Sequence, residues 1–177
     1  MTATTLYEAS IPVIRRSLAN LSTLLDKGAE HFAAAGVAED EWLGYRLADD
    51  MYPLLRQVQI ASDGAKGAAA RLSGQTPPSF PDEETSVAEL RDRIARTIAY
   101  LDSVPAAAIV GREEAPIVLE IGDLALHFTG ASYVRDFVLP NILFHVTTAY
   151  AILRNRGVPI GKLDFLGELD IRPRVAA

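Results

Sequence analysis

The chain of 177 residues holds three histidines and no cysteine, so imidazole chemistry must come from His31, His127 or His145, and thiolate nucleophiles, disulfides and zinc-thiolate sites are excluded. His145 stands apart in its surroundings. Asn141, His145 and Thr148 recur at i, i+4 and i+7, and on a helix that spacing draws one line of polar groups through an otherwise apolar run from Ile142 to Leu153. Such a line faces either a cavity or water, and its plain structural reading is a histidine hydrogen-bonded to its neighbours. His31 lies among alanines where a cation suits the end of a helix, and His127 adjoins Phe128; both read as structural. Gln57 is the long polar side chain within the arc set by Leu54, Val58 and Ala61, so it points inward or along the edge, where its amide needs a partner. Asp50, just ahead of Pro53, reads first as an acid at a helix start.

Other chemistries lack their parts. Gly157-Val158-Pro159-Ile160-Gly161-Lys162 is one residue too short between its glycines for a phosphate loop, Leu163 stands where the hydroxyl is needed, and a helix precedes it in place of a strand. Glu113 and Glu114 are neighbours, not a pair flanking a substrate, and no G-x-S-x-G signature is present.

These side chains must be positioned by helices. Ile11, Ile14, Leu18, Leu21 and Leu25 alternate spacings of three and four, the period of one buried helix face, with Pro12 in its first turn or at a kink. From Gly36 to Tyr52 the pattern dissolves into a connection with one helical turn, where Trp42 covers an end of the core. Pro53 opens a second helix whose inner face is Leu54, Val58, Ala61, Ala65 and Leu72, with Arg56, Gln59, Asp63 and Lys66 outside. Gly74 to Pro81 is a linker within the domain. Ser86 and Glu89 form a capping box for a third helix that buries Val87, Leu90, Ile94, Ile98 and Leu101, while Glu89–Arg93 and Asp92–Arg96 read as a solvated charged face. Residues 116–128 fit a short hairpin around Gly122-Asp123, and a last helix runs from Ser132 to Arg156, kinked at Pro140 and stopped at Gly157. The tail, 158–177, is irregular. Four amphipathic helices with no parallel-strand pattern predict an all-α four-helix bundle, one domain over 1–177.

Composition narrows the partners. With 23 acidic against 17 basic side chains the net charge is -6, which repels nucleic acid and anionic lipid. No secretory signal opens the chain and no run reaches about 18 uninterrupted apolar residues, so the expectation is a cytoplasmic protein without a membrane span.

Pro140-Asn141, Phe144 to Arg154, Gly157, Gly161-Lys162 and Asp164-Phe165-Leu166-Gly167 resemble the C-terminal signature of a bacterial domain-of-unknown-function family, and Asp50-Met51, Pro53-Leu54 and Gln57-Val58 resemble its second motif. That family is similar to the DinB/YfiT-like metalloenzyme superfamily. The resemblance implies an up-down-down-up bundle and frequently a homodimer. It also implies a divalent metal held by a histidine on helix two and an H-x-x-x-H pair on the last helix, with thiol transfer or isomerisation in some members. His145 matches the second histidine of that pair, Asn141 stands where the first would be, and Gln57 matches the helix-two histidine. Two of three imidazoles are therefore replaced by amides, which are poor zinc or nickel ligands, although a hard ion could take oxygens from Gln57, Asn141 and Asp50 beside His145. The expectation is a small-molecule pocket lined by Gln57, Asn141 and His145, with Thr148 and Asp50 as further candidates, and no cofactor. A divalent-metal-dependent enzyme and a purely structural or dimerisation module are the alternatives.

Overall fold

The computed structural model describes residues 4–169 and 171. The chain is mostly helical with one small hairpin. In order it forms α1 (Leu6–Ala34), the short α2 (Glu39–Leu43), α3 (Leu54–Ser73), α4 (Val87–Ser103), strands β1 (Pro116–Ile121) and β2 (Leu124–Thr129), a helical turn α5 (Gly130–Ser132), a π-helical stretch (Tyr133–Val138), α6 (Leu139–Asn155) and the short α7 (Lys162–Leu166). The long helices α1 and α3 each pack against both α4 and α6.

α1 begins earlier than its apolar period shows, because Thr5 and Glu8 make a capping box that starts the helix at Leu6. Pro12 therefore lies inside the helix, beyond the first turn where the sequence reading allowed it. Ile14, Leu18, Leu21 and Leu25 are fully buried, each worth about 1.5–3 kcal/mol of transfer from water. Trp42 is buried against Phe32 with ring centroids 5.0 Å apart, as a cap on that end of the core. Pro53 is the N-cap of α3, with helical geometry from Leu54, and Asp49 and Asp50 lie outside its first turn.

Two faces differ from expectation. Gln59 and Lys66, read as outward, are buried, since α3 packs on α4 as well as on α6 and little of its circumference meets water. Arg93, read as part of a solvated face, is also fully buried. The capping box of α4 forms as expected, with Ser86 accepting from the Glu89 amide and Glu89 from the Ser86 amide, and Asp92 pairs with Arg96 at 2.7 Å.

The hairpin pairs Pro116 with Thr129 through Ile121 with Leu124, and Gly122 turns it at φ +57°. Ile117 and Leu119 pack inward, and Phe128 leans on Tyr133 and Phe137. Gly130 then has no room for a side chain, because a Cβ would overlap the Arg112 carbonyl oxygen.

The last long helix is widened, not simply kinked at Pro140. Pro140 sits in the first turn of α6, where its missing amide is tolerated, and the preceding stretch Tyr133–Val138 is π-helical. A wider turn gives the proline ring clearance from the carbonyl four residues back. α6 ends at Asn155 and Gly157 follows at φ +90°, as the stop signal required. Among the described residues, Gly130–Asn155 is the one helical run long and apolar enough to cross a membrane; here it packs on α1 and α3. The tail is not wholly irregular: Val158 and Ile160 are buried and α7 docks on α1. Residues 170 and 172–177 of the tail lie outside the described residues.

Candidate functional site at His145

The α3–α6 contact brings Gln57 and His145 together. Gln57 Oε1 lies 2.7 Å from His145 Nδ1, and Gln57 Nε2 donates to the Tyr52 carbonyl at 2.9 Å. Both side chains are buried, at 2% and 8% exposure. Burial pushes the His145 pKa below its ordinary value, because a charged ring loses its hydration there. The half-exposed Phe144 ring meets the imidazole edge-on, with centroids 5.3 Å apart. His145 Nε2 has no protein partner among the described residues. It is also not one of the buried unpartnered side-chain atoms among the described residues, which are Arg93 Nε and Arg112 Nε, so the small exposed part of the ring includes it.

The other candidates are placed less closely. Asn141 is half-buried one turn before His145, and its Nδ2 would be 3.3 Å from a Cβ on Gly64, two turns along α3 from Gln57. Gly64 thus permits the close helix approach that puts Asn141 and His145 along the same seam. Thr148 is buried but returns its hydroxyl to the Phe144 carbonyl at 2.8 Å, which satisfies it within α6. Asp50 is exposed in the turn before α3 and makes no hydrogen bond or ion pair among the described residues. Tyr52, whose carbonyl anchors Gln57, has no side-chain signal that sequence reasoning could have used.

A second polar cluster lies between α3, α4 and the segment before α4. Arg93 pairs with Glu84 at 2.9 Å, Asp63 at 2.6 Å and Asp82 at 2.9 Å. Gln59 donates to Glu84 at 2.8 Å and accepts from Arg56 at 2.7 Å. Burial alone would raise the Glu84 pKa, but hydrogen bonds from Gln59 and Arg93 outweigh it and the net shift is downward. A cavity of about 460 Å³ opens beside it, lined by Glu84, Glu89, Asp92 and Arg96 among others. Its charges satisfy one another, so it fastens the 74–86 segment to the helices. The signal for it was present: Arg93 and Thr97 fall on the same three-and-four stripe as Leu90, Ile94 and Leu101.

A mostly helical chain with a hairpin inserted before its last long helix, and an imidazole on α6 facing an amide on α3, has a recognisable relative. A crystallised DinB family member protein from Shewanella denitrificans is 38% identical, with 96% of each chain covered and a TM-score of 0.86. The family described as Domain of unknown function (DUF1993) matches residues 6–166, and the chain belongs to it. No curated protein matches.

Proposed function

We propose that this protein binds a small molecule at the seam between α3 and α6, at the Gln57–His145 pair with Asn141 one helical turn further along the same seam, within a single four-helix-bundle domain of up-down-down-up type. One observation carries the reading: Gln57 occupies one imidazole nitrogen of a buried histidine and leaves the other open. That nitrogen lies in the small exposed part of the ring, where a ligand can reach it. The bundle is supported by α1 and α3 each packing against α4 and α6.

The imidazole-rich divalent-metal centre that the DinB resemblance implies does not fit these residues. Gln57 Oε1 is committed to His145 Nδ1, which removes it as a ligand, and Asn141 offers a neutral amide. One imidazole leaves an ion's charge uncompensated. Elemental analysis of protein made without a histidine tag should find far less than one zinc, nickel or iron per chain. Near one per chain, lost in His145→Ala, would replace this reading with a metalloenzyme.

The direct test is a thermal-shift screen of small molecules on wild type and His145→Ala. A ligand at a hundred times its Kd adds about 2.7 kcal/mol to the folded state. Hits should disappear in the variant; hits that survive place the ligand elsewhere. We also infer a homodimer, supported by Leu143 and Phe144 lying exposed on α6, and a monomer mass by light scattering would refute it.

A further inference from the structure

The hydrogen-bond roles at His145 can be assigned atom by atom. Gln57 Nε2 lies 2.9 Å from the Tyr52 carbonyl oxygen, which can only accept, so that end of the amide must be its NH₂ group. The other end, Oε1, faces His145 Nδ1 at 2.7 Å and has only lone pairs to offer. An unprotonated Nδ1 would set two lone pairs against each other in a buried contact, so Nδ1 carries the hydrogen. Burial disfavours a second proton on the ring, which leaves Nε2 with its lone pair free.

We infer that Gln57, anchored by the Tyr52 carbonyl, is a positioning residue that holds His145 as its Nδ1–H tautomer, so that the site receives a ligand through a hydrogen-bond donor, a hydroxyl or N–H group, and not through an anion. The tautomer half stands on the hydrogen-bond geometry and the burial of the ring; the ligand half rests on the proposed binding site at His145. The residue at the position of the superfamily's helix-two ligand thus acts on the imidazole from behind. An isolated neutral imidazole side chain prefers its hydrogen on Nε2, so the chain imposes the less favoured form. That makes the assignment easy to contradict.

Long-range proton–nitrogen NMR on the uniformly ¹⁵N-labelled chain reads the tautomer without any ligand, and with only three histidines a His145→Ala spectrum assigns the resonances. The expected result is a pyrrole-type Nδ1 and a pyridine-type Nε2. Gln57→Leu should return the ring to Nε2–H. If Gln57→Leu does not fold, the wild-type spectrum decides. An Nε2–H tautomer in the wild type overturns the inference. For the ligand class, phenol and anisole are matched probes that differ in the donor. Phenol should move the Nε2 resonance upfield and anisole should not; an Nε2 resonance unmoved by phenol, or moved equally by both, overturns the donor class while leaving the tautomer result standing.

Discussion

Helix α3 carries two glutamines two residues apart that end in opposite kinds of surroundings. Gln59 turns toward α4 and joins a group in which the buried Arg93 guanidinium meets three carboxylates. Gln57 turns toward α6 and joins a neutral pair with His145. The charged group is close to self-sufficient, with Arg93 Nε its one buried atom lacking a protein partner. The neutral pair costs less to desolvate and leaves a ring nitrogen free, so the quieter of the two regions is the one suited to meeting a ligand. Dense charge holds the chain together here, and sparse polarity leaves a polar atom open.

The largest effect should come from Arg93→Met. It strands Glu84 in a site built for a cation and leaves Asp63 and Asp82 without their shared partner, so stability should fall by about 3–5 kcal/mol. Urea unfolding measures it, and a loss below about 1 kcal/mol would mean that water already screens the cluster.

Gln57→Leu should cost less, about 1–3 kcal/mol, because it leaves His145 Nδ1 buried without a hydrogen-bond partner. The double variant Gln57→Leu/His145→Leu should recover much of that loss, since removing both partners leaves only the Tyr52 carbonyl without its donor. A double-mutant cycle checks the coupling, and additive losses would dissolve the pair as a unit.

How far the sequence shows this contrast depends on which side of α3 is considered. The Asn141, His145 and Thr148 line and the inward Gln57 are visible because each interrupts an apolar face with a polar group at helical spacing. Arg93 and Gln59 are not, although both lie on buried stripes, because long charged and amide side chains are by default assigned to water. Their burial depends on Asp82 and Glu84, which arrive from a segment with no periodicity of its own. The hairpin at 116–129 is legible through its β-branched runs and Gly122 turn. The π-helical stretch is not, because Pro140 announces only that regular helix must yield, not in which direction.

The smallest effect separates the two regions by pH. Hydrogen bonds and nearby cations outweigh burial for Asp82 and Glu84, so both fold with lowered pKa values. Their stabilisation is complete above the unfolded carboxylate range near about pH 4 and is lost as pH falls through the lower folded values. His145 is also lowered, by burial, but its unfolded value lies near about 6.5. Below that pH the unfolded chain takes up a proton that the folded ring resists, so stability declines as pH falls from about 6.5 toward the folded value and is flat above it. Unfolding free energies across about pH 2 to 8 should therefore show a shallow slope near about pH 6 in the wild type that vanishes in His145→Leu and persists in Arg93→Met, while the acid limb below about pH 4 should weaken in Arg93→Met alone. A slope near about pH 6 that survives removal of His145 would detach it from this ring and remove the electrostatic distinction between the two faces of α3.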